Sequence, residues 1–383
     1  MGRLDLEQLA CSLASRLRTD ISENKLYGAA LYVHRVGQES CQVTMGVSDP
    51  FKGTPVSEST VFRIASMTKP ITAVATMILV ERGKLQLDDP VSRYFPQFKH
   101  MHLAEVDGNG LLHTGPLVEK EITLRHILSH TSGIGSGTIG ALQIKNMSEE
   151  RKRTLSDTIS YFSEQGLSFS PYTKQEYSGF PAYDVLTGVV EKAADLDFSE
   201  FLLKEIFHPC DMIDTTFSPT KAQWERLALM HDRVNGKNAT GKTFDGCVFE
   251  DIPCSHSLGG AGLVSTLTDY SHFAMMLLQK GQYQNNRILK PDSIEQIATS
   301  QVPASIQPGY YRWGLGVRVI VDDRYPYLPV GSYGWSGAYG PHFWIDPVNQ
   351  IAAVYMKNSK YDPGAGSVTG YNFEKDVYAA LIM

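Results

Sequence analysis

Apolar residues recur along the chain with two spacings, one typical of strands and one of helices. Residues 28–34 and 41–47 are short β-prone runs separated by a turn at Gly37, which predicts an antiparallel hairpin. Further on, apolar residues recur one helical turn apart at Ile71, Val74, Ala75, Ile78 and Leu79. This spacing predicts a helix that ends at Gly83.

The rest of the chain divides into a helical middle and a strand-rich end. Helical spacing covers 121–130, 152–165 and 181–194, and later 266–280 and 371–382. Four strands are predicted near the end, at 313–321, 331–338, 342–345 and 351–356. We therefore predict an α+β fold with two domains. Residues 1–84 and 256–383 form a sheet domain, and residues 85–255 form a mostly helical inserted domain. The active site is expected in the cleft between them.

Composition and charge exclude several function classes. The formal net charge is -6, and the longest basic run is residues 151–153, so neither nucleic acid nor an anionic membrane is an expected partner. The N-terminal leucines are interspersed with charges, unlike a signal peptide, and no uncharged apolar stretch approaches the roughly 18 residues of a membrane span. Five cysteines without a Cys-x-x-Cys pair argue against a disulfide framework and a zinc site, and favour a reducing cytoplasm.

A serine nucleophile is the strongest chemical candidate. The pattern Ser-x-x-Lys begins at Ser22, Ser66 and Ser218, but only Ser66 is predicted to open a long amphipathic helix. One helical turn places Lys69 beside Ser66, where an amine can accept the hydroxyl proton. The helix N-terminus stabilises a developing alkoxide, and the backbone N–H of Ser66 can serve as an oxyanion donor. The alternative is that Ser66 is an ordinary first-turn residue and Lys69 a solvated surface charge.

The segment 61–69 resembles the nucleophile segment of the serine β-lactamase and penicillin-binding-protein superfamily. Segments 85–91, 122–133, 209–215 and 259–266 resemble later segments of that superfamily in the same order. The resemblance implies an antiparallel sheet flanked by helices, as in β-lactamases and transpeptidases.

The superfamily's second motif is Tyr-x-Asn. Its literal match, at Tyr283, lies in a polar turn, whereas Tyr177-Ser178-Gly179 leads into a helical pattern. By resemblance, Tyr177 relays protons between Ser66 and the leaving group; the alternative is a packed tyrosine. Gly179 replaces the usual Asn, which disfavours amide and lactam substrates.

The third motif, Lys-Thr-Gly, is absent, and Trp335-Ser336-Gly337 stands in the expected strand context. The same variation is found in the family VIII carboxylesterases. The resemblance implies that Ala338 supplies the second oxyanion N–H beside that of Ser66, and that Trp335, Ser336, Gly337 and Tyr339 bind substrate. Replacing the motif's Lys by Trp removes the cation that would pair with a substrate carboxylate and favours uncharged groups. Four further aromatic residues flank this edge: Tyr310, Tyr311, Trp313 and Tyr333.

Two other motifs are set aside. His126 and His130 have the spacing of a helical zinc pair but lack a third ligand nearby, and the glycine pattern at 135–140 follows a helix rather than a strand. No metal or organic cofactor is implied.

The predicted function is hydrolysis of small-molecule carboxylic esters through an acyl-Ser66 intermediate. Three alternatives remain open: transfer of the acyl group to another alcohol or amine, hydrolysis of β-lactams, D-amino-acid amides or peptides, and a binding protein without chemistry. The oligomeric state does not follow from the sequence.

Overall fold

An eight-stranded antiparallel sheet combines strands from both ends of the chain. The computed structural model describes residues 3–234, 237–240 and 256–382. Within these residues the strands are β1 (Arg3–Leu4), β2 (Gly28–Arg35), β3 (Cys41–Asp49), β4 (Thr54–Pro55), β5 (Val61–Arg63), β6 (His102–Val106), β7 (Leu112–Leu117), β8 (His231–Val234), β9 (Lys237–Thr240), β10 (Val264–Thr266), β11 (Gln282–Tyr283), β12 (Asn286–Arg287), β13 (Tyr311–Trp313), β14 (Arg318–Ile320), β15 (Tyr333–Ser336), β16 (His342–Asp346), β17 (Ile351–Met356) and β18 (Leu381–Ile382).

Helices cover both faces of this sheet and fill the middle of the chain. The α-helices are α1 (Leu6–Ser22), α2 (Thr68–Glu81), α3 (Leu124–Leu128), α4 (Gly137–Asn146), α5 (Leu155–Glu164), α6 (Pro181–Ala194), α7 (Phe198–Leu202), α8 (Lys221–Glu225), α9 (Leu267–Leu278), α10 (Pro291–Ile297) and α11 (Val368–Ala379). Short 3-10 turns span Ala65–Met67, Val91–Arg93 and Pro96–Phe98, and a π turn spans Leu203–Phe207. No helix in the described ranges has both the length and the apolar content needed to cross a bilayer.

The strand order in the sheet is β13-β14-β15-β16-β17-β2-β3-β4. The predicted hairpin is confirmed, because β2 and β3 pair from Gly28 opposite Gly46 to Val33 opposite Cys41. β17 pairs with β2, which joins strands more than 300 positions apart in the sequence. The predicted α+β class is therefore confirmed. The boundaries of the two predicted domains stay a prediction.

Alternate residues of β17 face two separate cores. Ala353 and Tyr355 pack with α1 and α11, whereas Ala352, Val354 and Met356 pack on the side of α2 and α9. All six residues of β17 are buried, as expected for a strand covered on both faces.

The predicted single strand at 313–321 is wrong. The chain reverses between β13 and β14, with Gly314 N–H donating to Val317 C=O at 2.9 Å. Gly316 has a φ of +74°, and a Cβ there would meet Ala73 of α2 at 2.8 Å. The reversal thus needs a glycine both for its left-handed backbone and for its close approach to α2.

Three further predictions need correction. The middle of the chain, predicted to be mostly helical, contains an antiparallel hairpin, β6 and β7, that was not predicted. The closing helix α11 begins at Val368 and ends at Ala379, and the chain then pairs as β18 with β1. Helix α2 begins at Thr68 rather than Ser66, and it is buried on every side from Thr68 to Leu79 rather than amphipathic, because it packs between α6 and α10.

Candidate active site

Ser66 lies in the 3-10 turn between β5 and α2. β5 pairs with β10, and the side chain of Asn358 holds the end of β5 by accepting from Arg63 N–H at 3.1 Å and donating to Arg63 C=O at 3.0 Å. Ala65, directly before the serine, has a φ of +44°, in the left-handed region that non-glycine residues rarely occupy. Such backbone strain persists only where the surrounding structure enforces it, and it is frequent at functional sites.

Lys69 is fully buried beside Ser66. Its Nζ lies 3.2 Å from Ser66 Oγ, donates to Gly260 C=O at 2.8 Å and also contacts Gly179 C=O. Its exposed fraction is 0%, so the alternative of a solvated surface lysine is wrong. Burial lowers the pKa of the Lys69 ammonium, and the nearby Tyr177 hydroxyl and Asp184 carboxyl only partly oppose this. The amine is therefore easier to deprotonate than an ordinary lysine.

Tyr177 stands over the same lysine. Lys69 Nζ lies 4.8 Å from the centroid of the Tyr177 ring, and the tyrosine hydroxyl accepts from Trp335 Nε1 at 3.3 Å. The literal match to the second motif, Tyr283, instead lies in β11 with its ring 4.9 Å from that of His272. The structure thus brings Tyr177 to Ser66 and Lys69.

His130, which the sequence showed only as half of a zinc-like pair, is a neighbour of the site. Its ring centroid lies 4.5 Å from that of Tyr177 and 4.2 Å from that of Trp313, and its Nδ1 accepts from Ser178 N–H at 3.2 Å. Burial, reinforced by the charge of Lys69, holds its pKa well below the usual value, so the imidazole is neutral. His130 therefore orients the Tyr177 segment without adding a charge.

The end of β15 reaches the Ser66 turn because Gly337 has no side chain. A Cβ on Gly337 would overlap the carbonyl oxygen of Ile64, two residues before Ser66. Gly337 N–H donates to Pro341 C=O at 2.8 Å, which fixes the turn after the strand. Ala338, the next residue, is thereby brought to the mouth of the site.

A cavity of about 340 Å³ opens at Ser66. Its walls are formed by Ser66, Gln175, Tyr177, Tyr311, Trp313, Trp335, Ser336, Ala338, Gly364 and Ala365. Trp313 and Trp335 pack edge to face with their ring centroids 4.5 Å apart, and they give the cavity an aromatic wall. No residue of this set carries a charged side chain.

Not every predicted substrate-binding residue lines the cavity. The ring of Tyr339 packs with the cluster that contains Val61 and Ala65. Two of the aromatic residues that flank this edge also have other partners: the Tyr333 hydroxyl donates to Leu277 C=O at 3.3 Å, and the Arg324 guanidinium lies 5.5 Å from the Tyr310 ring centroid. Gln175, Gly364 and Ala365 line the cavity without having been predicted, because they stand in loops with no motif of their own.

Comparison with known proteins agrees with this geometry. A sequence model of the Beta-lactamase family matches residues 13–374, so the chain belongs to that family. Esterase EstB of Burkholderia gladioli is 29% identical to this chain, and the alignment covers 96% of this chain and 94% of that protein. The predicted resemblance to the serine β-lactamase-like superfamily is confirmed.

Solved structures show the same fold. EstCE1, described as a hydrolase with promiscuous acyltransferase activity, superposes with a TM-score of 0.81 at 23% identity and covers 97% of this chain and 99% of its own. The unliganded selenomethionyl form of simvastatin synthase LovD from Aspergillus terreus superposes with a TM-score of 0.79 at 20% identity, covering 97% and 98%. The β-lactamase-like architecture is thereby confirmed.

Proposed function

We propose that this protein is a serine esterase that cleaves small carboxylic esters through an acyl-Ser66 intermediate. The observation that carries the proposal is the contact of Ser66 with a fully buried Lys69, under Tyr177, in a cavity walled by aromatic rings. The likeness to an esterase over nearly the whole chain supports it.

In the first half of the reaction Ser66 Oγ attacks the ester carbonyl carbon, and its proton passes to Lys69 Nζ. The lowered pKa of Lys69 supports this role, because a neutral amine is needed to accept a proton. The Tyr177 hydroxyl donates its proton to the departing alcohol oxygen and regains one from Lys69. The acyl group is then bound to Ser66, and all three side chains are ready for the second half.

In the second half a water molecule attacks the acyl carbon and passes a proton to the neutral Lys69 amine, either directly or by a relay in which Tyr177 accepts this proton and gives its own to Lys69. Ser66 Oγ leaves and takes a proton back, which restores the free enzyme and releases the acid. In both halves the backbone N–H groups of Ser66 and Ala338 bind the negative carbonyl oxygen. Removal of one such donor costs on the order of 10²–10³ in turnover in comparable sites.

The walls of the cavity favour an uncharged ester. Trp335 occupies the position of the motif's Lys and donates its indole N–H to Tyr177, so no cation at that position faces a substrate carboxylate. At Gly179 a Cβ would meet nothing within 4 Å, which leaves open space where the family's Asn amide would stand. Both features make β-lactams and D-amino-acid amides poorer substrates than esters.

The proposal is tested by the hydrolysis of p-nitrophenyl butyrate. We expect the Ser66→Ala variant to lose at least about 10³-fold in kcat, since the acyl-enzyme cannot form. Ser218→Ala is the matched control, because Ser218 begins the same Ser-x-x-Lys pattern in a loop, and it should keep the wild-type rate. An unchanged rate in Ser66→Ala would contradict the proposal.

Acyl transfer by the same acyl-enzyme is the second candidate. The described acyltransferase activity of EstCE1 supports it. Product analysis with an added alcohol separates the two: a transferase forms the new ester faster than the free acid, whereas a hydrolase forms mainly acid.

We also propose that residues 1–84 with 256–383 and residues 85–255 are two domains with the site between them. Support comes from the cavity, to which the first part contributes Ser66 and Trp335 and the second contributes Gln175 and Tyr177. Limited proteolysis followed by mass spectrometry of the fragments tests the boundaries. Cuts that cluster inside the sheet strands would contradict the division.

A cytoplasmic location is proposed as well. Cys11, Cys41 and Cys210 are free thiols, as expected in a reducing compartment, while Cys247 and Cys254 lie outside the described residues. Fractionation of cells that express the native chain tests the location, and recovery of the protein outside the cytoplasm would contradict it.

A further inference from the structure

A second polar chain begins at Ser336 in the wall of the cavity. Ser336 Oγ lies 2.8 Å from His342 Nδ1, and His342 Nε2 lies 2.9 Å from Glu374 Oε1. Arg318 donates to the same carboxylate oxygen at 3.0 Å, and the Tyr325 hydroxyl donates to the other oxygen at 2.6 Å. All five residues are buried, and the acyl-Ser66 reaction described above uses none of these contacts.

The carboxyl of Glu374 is ionised. Its burial alone would raise the pKa, but the hydrogen bond from His342 and the charge of Arg318 outweigh burial and hold the pKa of Glu374 below its usual range. An ionised carboxylate only accepts hydrogen bonds, so His342 Nε2 carries a proton and donates it.

The second nitrogen of His342 is then a lone-pair acceptor. Nε2 of this ring faces the Glu374 carboxylate, and Nδ1 faces the Ser336 hydroxyl. A neutral imidazole with its proton on Nε2 leaves Nδ1 free to accept. The Ser336 hydroxyl therefore donates its only proton inward, to His342.

This assignment determines which hydrogen bonds the Ser336 hydroxyl can form with a ligand in the cavity. A hydroxyl has one donor and two lone pairs, so a serine whose proton is already used can only accept from a ligand. Glu374 already accepts from three donors and is a poor base, so the chain orients Ser336 rather than activating it as a second nucleophile. The aromatic wall thus contains a hydrogen-bond acceptor with a fixed direction.

We propose that Ser336, positioned by His342 and Glu374, is a specificity determinant that binds a hydroxyl donor on the substrate, so that the enzyme prefers hydroxy esters to alkyl esters of the same shape. The inference rests on the proposed esterase function and deepens it by naming a substrate class. His342 and Glu374 are positioning residues, since they act through Ser336.

Two pairs of esters that differ by a hydroxyl in place of a methyl group test the preference. The acyl pair is p-nitrophenyl 3-hydroxybutyrate, as both enantiomers, and p-nitrophenyl 3-methylbutyrate; the alcohol pair is 2-hydroxyethyl butyrate and propyl butyrate. The wild type should favour the hydroxyl member of at least one pair in kcat/KM. In the Ser336→Ala variant the ratio of kcat/KM for the hydroxyl ester to kcat/KM for its alkyl partner should fall about tenfold, which is the effect of one hydrogen bond. Most of this change should be a higher KM for the hydroxyl ester.

Tyr325→Phe is the control variant. It removes one donor from Glu374 but leaves the contact of His342 with both Glu374 and Ser336, so it should keep the wild-type ratio. Failure of the proposed function has a different signature, which is no ester hydrolysis at all or hydrolysis that survives Ser66→Ala. Hydrolysis that depends on Ser66, but shows no hydroxyl preference or one unchanged in Ser336→Ala, overturns the present inference alone.

The tautomer of His342 can be measured without any substrate. Side-chain ¹⁵N NMR of the full-length protein distinguishes a proton on Nε2 from one on Nδ1, and the signals are assigned by their loss in His342→Asn. We expect the Nε2–H tautomer at neutral pH. A proton on Nδ1 would reverse the hydrogen bond to Ser336 and overturn the inference even if the Ser336 variant fails to fold.

Discussion

Lys69 and Lys357 are both fully buried, yet their surroundings differ in one decisive respect. Lys69 Nζ contacts the Ser66 hydroxyl and two backbone carbonyl oxygens. Lys357 Nζ instead donates to the Asp362 carboxylate at 2.7 Å and to Thr369 Oγ1 at 2.6 Å. Both lysines have an exposed fraction of 0%, so burial alone does not separate them.

The difference lies in the counter-charge. Burial lowers the pKa of both ammonium groups. Lys357, however, has an ionised partner. The charge of Lys357 and its hydrogen bond to Asp362 help to hold the pKa of Asp362 below its usual value, although Asp362 is buried. Asp184 is the carboxyl group whose charge acts on the pKa of Lys69. Burial raises the pKa of Asp184 itself, which favours its neutral form. A buried lysine without an ionised partner in contact is suited to exchange protons, whereas a buried ion pair is suited to hold a loop.

The largest expected effect is on catalysis at Lys69. Lys69→Arg should lower kcat for p-nitrophenyl butyrate by about 10²–10⁴, because a guanidinium cannot give up its proton and general base catalysis is lost. The measurement is steady-state kinetics of wild type and variant, with circular dichroism to check folding. A folded Lys69→Arg enzyme with wild-type kcat would remove Lys69 from the reaction.

The next effect is on stability at Lys357. Lys357→Met should lower the free energy of unfolding by about 3–5 kcal/mol, since it leaves the Asp362 charge buried without its partner. Denaturant unfolding gives this value. The double variant Lys357→Met/Asp362→Asn should recover part of the loss, because the unpaired charge is removed, and a double variant no more stable than the single one would contradict the ion-pair explanation.

The smallest expected effect is on the pH dependence of the free energy of unfolding. Since the pKa of Lys69 is lower in the folded than in the unfolded chain, the unfolded state binds more protons between those two values. Stability should therefore rise with pH from the lowered pKa of Lys69 towards 10.5, and Lys69→Met should reduce this rise. Unfolding measured at several pH values between 7 and about 10 checks the slope, and an equal slope in wild type and variant would contradict a lowered pKa.

Among the predicted contacts, the one between neighbours in sequence is present in the structure. Ser66 and Lys69 are three positions apart, and their contact follows from one helical turn, although the turn proved to be 3-10 at its start. Tyr177 was chosen over Tyr283 because a helical pattern follows it, and the structure places its ring beside Lys69. The error at 313–321 arose because the apolar run continues through Gly314 and Gly316, and periodicity cannot show a chain reversal inside such a run.

By itself the sequence determined the order of the motifs, the β-prone runs that build β2, β3, β16 and β17, and the pairing of a serine with a lysine one turn away. These are local properties, decided by spacing along a regular backbone. Only the tertiary structure decided that Lys69 is buried with no carboxylate of the described residues in contact, that Gly337 lets β15 approach the Ser66 turn, and that Ser336, His342 and Glu374 form one hydrogen-bonded chain. The reason is physical: burial, close approach and proton position depend on atoms brought together from distant parts of the chain, and no local spacing encodes them.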